Sequence, residues 1–428
     1  MNISHGNGAP VSGRVRPSIR VHRRLLAGVA LAGALAMTTT ACSGGANQRA
    51  AADGNTIKLG LLYSLTGDLA TVETPMHDAA LLAVDEINAA GGINGKKIEP
   101  VVEDYASDNA KAVEKANKLI EDDHVVATLG MYTSASRLAV LPKFEQSNSL
   151  LLYAVVTEGL ECSPNVIYTG ITPSQTLEQT IPWMLQHLGK KVYLVGSDYI
   201  YPHTVNAIAK KLIEQNGGEV VADDYFPLGS TEFGTAVSKI KNSNADVVFS
   251  SLVAGSIPAF YKQYHAGGLD FQQRPLVSSI TSEAEIAGMG ADNAVGSYTA
   301  SSYFQSIDSP TNDAFVKAIK AKYGSGQFTD REMAAAYSTV YMFKKAVESA
   351  GGDLSTDHLK KVFPGTSVEG PQGTVTVESN NNTTMTSLLG KVNASGQFDV
   401  VQDFGQVKAD PFPASVVPNP PTCPVRVK

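Results

Sequence analysis

Residues 57–63, IKLGLLY, run into SLTGDLA at 64–70, and apolar residues then recur at Met76, Ala80, Ala83, Val84 and Ile87. The short apolar run ends in a polar turn at 64–68 and reads as a buried strand, while the residues after it follow helical spacing. Gly91 and Gly92 stop that helix. The cycle repeats with a strand over 97–103 and a helix over 109–120, a strand over 125–129 and a helix over 136–146, and a strand over 150–156. Alternation at this spacing predicts βαβ units and a parallel sheet. After a connection at 158–173 a second series begins: a helix containing Trp183, then strand 192–195, helix 205–215, strand 219–222, helix 231–241 and strand 246–250. A second α/β lobe is predicted. Segments 313–323 and 333–349 again look helical, and the chain turns β-rich from Gly373, with polar turn residues at Asn380 to Asn382. The tail from Asp410 is Pro-rich and reads as irregular.

A chain of 428 residues is roughly three times the usual domain and fits two lobes better than one core. Its 43% hydrophobic and 18% charged residues are those of a globular protein, not of a disordered or fibrous one. The formal charge is −7, yet the first 41 residues hold five Arg and no acid, leaving 29 bases against 41 acids in the rest. That acidic balance repels phosphate, and no basic stripe offsets it, so nucleic acid is excluded as a partner.

Arg14, Arg16, Arg20, Arg23 and Arg24 precede the apolar stretch LLAGVALAGALAM at 25–37, which is short for a membrane span. Small residues then lead to Cys42, so residues 1–41 read as an export signal. The arrangement resembles a bacterial lipoprotein signal, in which Cys42 is lipidated and becomes the mature N-terminus. Thr39 stands where that pattern has Leu, and ordinary secretion with cleavage near Ala41 is the alternative. Residues 42–54 are small and polar, as in a flexible tether. No later segment reaches 18 apolar residues, so the body is not expected to span a membrane. Cys162 and Cys423 remain in the body, where an oxidising compartment allows a disulfide between them; a buried Cys162 and a free Cys423 is the other reading. No His or second Cys lies at metal-ligand spacing from either.

In doubly wound sheets ligands bind beyond the carboxyl ends of the strands. Those positions hold Gly130, Met131, Tyr132, Thr133 and Ser134 after the third strand, Tyr153 in the fourth, and Ser197, Asp198, Tyr199, Ile200 and Tyr201 after the first strand of the second lobe. Hydroxyls and rings without charge suit a small neutral polar ligand, although the same tyrosines could simply pack the sheet ends. Catalytic signatures are scarce: no G-x-S-x-G, H-E-x-x-H or P-loop motif occurs. Gly288, Gly290 and Asn293 half match a dinucleotide loop and read as a surface turn. Asp104 and Asp108 read as a strand end and a helix N-cap, Glu283 and Glu285 as charges at a helix start, and His203 alone among the histidines falls in a candidate site loop.

The stretches IKLGLLYSLTGDLA, AVDEINAAGGINGKKIE and GMYTSASRLAVLP resemble the first lobe of type I periplasmic solute-binding proteins serving branched-chain amino acid and amide ABC importers. EGLECSPNVIYTGITPSQ, VGSDYIYPHTVN, PLGSTEFGTAVSKIK, YFQSIDSP and PQGTVTVESNNN resemble the urea and short-chain amide branch, over about residues 55–413. The resemblance implies two Rossmann-like lobes joined by three crossovers near Ile171, Ser302 and Glu369: 55–171 with 303–368, and 172–302 with 369–413, followed by a tail at 414–428. It implies ligand contacts from Tyr132, Ser134, Tyr153, Tyr199 and Tyr201. Val155 stands where the amide-sensing relative has Thr and resembles the urea receptors, while their Gly-Asp-Ser reads Ala254, Gly255 and Ser256. The implied function is capture of urea or a short-chain amide outside the cytoplasm and delivery to a permease and its ATPase, with a lipid anchor, no cofactor, no metal and no catalysis. A branched-chain or other amino acid receptor, or a ligand sensor of the same fold, is the alternative.

Overall fold

The computed structural model describes residues 54–422, all within one compact unit. Residues 57–63 are apolar almost without interruption because β1 (Thr56–Tyr63) lies inside a sheet covered on both faces. It pairs in parallel with β2 (Lys97–Asp104) on one side and β3 (Ala127–Gly130) on the other. The sheet continues through β4 (Leu151–Tyr153) to β5 (Val166–Tyr168), all parallel. Between them run α1 (Ala70–Ala89), α2 (Asn109–Asn117) and α3 (Ser134–Gln146). The α1 residues Met76, Ala80, Ala83, Val84 and Ile87 form its buried face, as their spacing predicts. Asp108 caps α2, accepting from the Ala110 and Lys111 amides, and Asp104 accepts from Leu65 N at 3.0 Å and Thr66 Oγ1 at 2.7 Å. Both acids are therefore spent on local structure.

The second layer starts with α4 (Pro173–His187), β6 (Lys191–Ser197), α5 (Ile200–Gln215), β7 (Glu219–Phe226), α6 (Gly234–Asn242) and β8 (Val247–Ser251). It continues through α7 (Ser256–Ala266), β9 (Leu276–Ser278), α8 (Glu283–Met289) and β10 (Tyr298–Ser301). The parallel order is β7-β6-β8-β9-β10. The chain then returns with α9 (Pro310–Tyr323), α10 (Arg331–Ser349) and α11 (Thr356–Val362), of which α10 packs along α1. It closes with β11 (Ser367–Gly370), β12 (Gly373–Val377), β13 (Thr383–Val392) and β14 (Phe398–Val407). β13 pairs antiparallel with β10, β12 and β14. This is the two-lobed, doubly wound α/β architecture that the alternation of strands and helices predicts.

The predicted strand at 150–156 is shorter than its apolar run. β4 stops at Tyr153 because residues 154–156 leave the sheet; Thr157 N bonds instead to Ile171 O at 3.0 Å. Gly170 makes this close approach possible, since a Cβ there would lie 1.9 Å from Val155 O. Gly130, at the end of β3, is required for a similar reason: its φ is +150° and a Cβ would meet Leu62 O at 2.0 Å. The tail has no regular structure through residue 422 but is tied down: Leu160 N donates to Pro411 O, and Lys211 Nζ and Gln215 Nε2 bond the carbonyls of Val416 and Ser415. Among the described residues no helix is long and apolar enough to cross a membrane. Cys162 is buried and disulfide-bonded. Cys423, the export signal with Cys42 and all but the end of the tether lie outside the described residues.

Candidate functional site

The carboxyl ends of β3 and β4 face those of β6, β8 and β9 across a cleft lined by Tyr132, Ser134, Val155, Val156, Tyr199, Tyr201, Val253 and Ile280. Tyr132, Ser134, Tyr199, Tyr201, Val253 and Ile280 follow strand ends that lead into helices, while Val155 and Val156 lie in the loop after β4. After β3, Met131 takes a left-handed conformation (φ 66°) that turns Tyr132 out, and Thr133 caps α3 by accepting from Ser136 N at 3.1 Å, which leaves Ser134 in the first helical turn. After β6, Tyr199 precedes α5 and Tyr201 occupies its first turn, with their rings stacked at 6.3 Å between centroids. After β8, Ala254 repeats the left-handed turn at φ 50°. The remaining space is about 10 Å³ for the centre of a water-sized sphere, which is about one water.

Five of the six residues expected at the site therefore meet in one cleft. The sixth, Tyr153, stands one layer behind: it is fully buried, and its hydroxyl donates to the Tyr132 carbonyl at 2.7 Å. Val156, Val253 and Ile280 complete the walls; they follow the strand ends as the doubly wound rule requires but carry no polar signal. His203 does not line the cleft. It bonds Asp198 at 2.7 Å and stacks on Tyr225 at 3.8 Å, half exposed.

Among the described residues no charged side chain lines the cleft. Burial pushes the hydroxyls of Tyr132, Tyr199 and Tyr201 well above the usual phenol range, so all three stay neutral donor-acceptors. The Ser279 hydroxyl lies beside that of Tyr201. Among the described residues Ser256, at the start of α7, has a buried hydroxyl without a partner. A cleft of neutral rings and hydroxyls can hold a solute by hydrogen bonds and stacking; among the residues that line it there is no nucleophile and base within reach of each other.

Charge is stored behind the walls, where the sequence reading missed it. Arg137 is buried among Ser134, Glu158 and Glu161, with its guanidinium 4.8 Å from the centre of the Tyr153 ring. Arg331 pairs with Glu332 at 2.6 Å and donates to the carbonyls of Ala300 and Ile280, tying α10 to the second sheet. Beside it Ser282 caps α8 in a capping box, its amide bonding Glu285 at 2.8 Å. Among the described residues no group of acids, histidines and cysteines is arranged to hold a metal ion.

Burial pushes Glu283 and Asp330 up to about 8 and Glu285 to about 7, and in the first lobe it pushes Glu73 up to about 8. In the unfolded chain these groups ionise near the ordinary carboxylate value, so between about pH 4.5 and 8 the folded protein binds protons that the unfolded one has lost. Stability must then fall as pH rises through that window. Thermal unfolding without solute is expected at a temperature several degrees lower at pH 8.5 than at pH 5, and Glu283→Gln should raise it at pH 8.5 only. A melting temperature that climbs between those pH values would contradict this assignment.

A family model described as periplasmic binding protein domain matches residues 57–418. The chain is 26% identical to the leucine-, isoleucine-, valine-, threonine- and alanine-binding protein of Pseudomonas aeruginosa, over 78% of this chain and 88% of that protein. It is 28% identical to a Leu/Ile/Val-binding protein homologue from Brucella abortus, over 64% of this chain and 71% of that one. Among solved structures it superposes with a TM-score of 0.72 and 26% identity on a branched-chain amino acid transporter substrate-binding protein of Streptococcus pneumoniae in complex with isoleucine, covering 83% of this chain and all of that one. A solute-binding protein of an ABC transporter from Rhodopseudomonas palustris, in complex with 3,4-dihydroxybenzoic acid, shares the fold at a TM-score of 0.75 and 24% identity, covering 83% of this chain and 98% of that one.

Proposed function

The chain belongs to the periplasmic binding protein domain family, and from that premise we propose that it is the exported solute-binding component of an ABC importer that takes a small neutral amide, urea or a short-chain carboxamide. The observation that carries the solute class is the cleft lining: rings, aliphatic side chains and neutral hydroxyls, with no counter-charge and little room. A carbonyl can accept from tyrosine hydroxyls while N–H groups donate to the facing acceptors, so an amide meets both needs without an ion pair. The second reading, an α-amino acid receptor, is favoured by what the Pseudomonas and Streptococcus relatives bind.

Capture involves no chemistry. Solute binds between separated lobes and shifts a two-state population toward the closed form by its differential affinity for that form, and the closed faces then engage permease and ATPase. Tyr132, Ser134 and Val155 act from the first lobe, Tyr199 and Tyr201 from the second, and Tyr153 supports the first wall from behind. The Arg331 contacts to Ala300 and Ile280 are made only while the lobes are together. Lipidated Cys42 would keep the receptor at the outer face of the cytoplasmic membrane, with the acyl chains contributing about 0.8 kcal/mol per buried methylene, and Cys423 is the proposed partner of Cys162.

The test is thermal unfolding of the purified protein against urea, formamide, acetamide, propionamide, leucine, glutamate and benzoate, followed by calorimetry. A ligand confined to the native state adds about 2.7 kcal/mol at a hundredfold excess over Kd. A rise with urea or an amide and none with leucine is the expected result. A rise with leucine alone would replace the amide reading by the amino acid one.

A further inference from the structure

Ser134 lines the cleft, and its hydroxyl is already committed. It donates to Glu158 Oε2 at 2.5 Å and accepts from Arg137 Nη1 at 3.2 Å. Glu158 takes Arg137 Nη2 on its other oxygen at 3.1 Å, and both side chains are almost wholly buried. A carboxylate paired with a buried guanidinium accepts and does not donate, so the Ser134 proton is held away from the solute. A hydroxyl has one proton and two lone pairs. With the proton and one lone pair spent, what Ser134 has left for the cleft is a lone pair.

Arg137 is satisfied in turn. Its Nε and Nη2 reach Glu161 at 3.1 and 3.3 Å, and Tyr168 Oη donates to Glu161 at 2.5 Å. Two carboxylates around one guanidinium leave the group behind Ser134 formally negative by one. The excess charge and the lone pair act in the same direction: both favour an N–H group of the solute at this wall and disfavour a carboxylate oxygen.

We propose that Glu158, held by Arg137, is a positioning residue that sets Ser134 as a hydrogen-bond acceptor and so makes the first-lobe wall select N–H donors over carboxylates. This rests on the reading of the cleft as the solute site. It deepens that reading by assigning the solute's nitrogen to Ser134, leaving its carbonyl to the tyrosines.

Glu158→Gln tests it, because the neighbours dictate how the amide turns. Arg137 requires an acceptor, so the glutamine carbonyl faces Arg137 and its NH2 faces Ser134. The serine proton is then released toward the cleft, and the wall changes from acceptor to donor. Calorimetry with the isosteric pairs acetamide and acetate, and propionamide and propionate, reads the change as a ratio. In the native protein the amide is expected to bind at least a hundredfold more tightly than the acid. In Glu158→Gln that ratio should fall at least tenfold, with the acid gaining in absolute affinity. Ser134→Ala should weaken the amide without strengthening the acid, and it serves as the test if Glu158→Gln does not fold. A merely structural role for Glu158 would weaken both members of a pair together, and that result overturns the inference. If the native protein binds neither pair but binds leucine, the amide reading fails on its own. The inference then requires Glu158→Gln to weaken leucine more than 4-methylpentanoate, which lacks the ammonium, and fails too if it does not.

Discussion

Tyr201→Ala is expected to weaken solute binding at least a hundredfold. Tyr201 supplies one wall of the cleft, stacks on Tyr199 and brings a hydroxyl that stays protonated through physiological pH. Removing the ring opens a space several times larger than the one now present, admits water and leaves the solute carbonyl without a donor. A hundredfold loss corresponds to about 2.7 kcal/mol, within the range of aromatic anchors that fill enclosed sites. A core aromatic cut to alanine typically costs 3–5 kcal/mol of stability. Tyr201 should cost less, because it fills a space between lobes that the open form already exposes. The expected pattern is a large loss of affinity by calorimetry with only a modest fall in the melting temperature of the solute-free protein. Tyr201→Phe keeps the ring and isolates the hydroxyl, whose loss should cost about tenfold. Unchanged affinity in both variants would mean that the solute binds elsewhere.

The positions that line this cleft were legible because a doubly wound sheet leaves little choice. Once the run at 57–63 is read as a strand and the alternation is counted, the residues just beyond each strand are the ones that meet, and Tyr132, Ser134, Tyr199 and Tyr201 follow; Val155, inside the predicted strand at 150–156, came only from the resemblance. The side toward which each chain points was less accessible. Tyr153 closes β4 at the point where the backbone leaves the sheet, so strand alternation no longer fixes its direction, and its hydroxyl ends on a carbonyl. The segment from α7 to β10 was not resolved into elements; β9 has three residues and β10 four, too few for periodicity to register.

The buried charges were illegible for a different reason. In the sequence Arg137 is an ordinary helical arginine, and its partners Glu158 and Glu161 lie 21 and 24 residues further on. Nothing local says that residues 158–163 fold back over the start of α3. The same holds for Arg331 and Glu332, which resemble surface charges at a helix start until the second sheet covers them. Local pattern reports an element and its exposed face; it does not report which loop later covers that face.

The consequence of that cover is largest at Arg137. Arg137→Met preserves much of the side-chain volume but leaves Glu158 and Glu161 buried without their cation, and breaking a buried pair in this way typically costs 3–5 kcal/mol. The deficit must depend on pH with a definite sign. Without the guanidinium, burial and mutual repulsion raise the affinity of both carboxylates for protons, so protonation relieves the strain. The variant should be closest to the native protein near pH 5 and fall progressively below it as pH rises toward 8. Replacing all three members, with Arg137→Met, Glu158→Gln and Glu161→Gln together, should recover much of the lost stability, because neutral groups of similar size carry little desolvation penalty. The recovered protein is read for stability alone, because without the guanidinium nothing dictates which way the amide introduced by Glu158→Gln turns toward Ser134. Thermal unfolding of the native, single and triple proteins from pH 5 to 8 reads the structural role of the cluster, apart from the binding role read in Glu158→Gln. A pH-independent deficit in the single variant would show that Arg137 contributes through packing, and a triple variant no more stable than the single one would show that the loss does not come from the unpaired carboxylates.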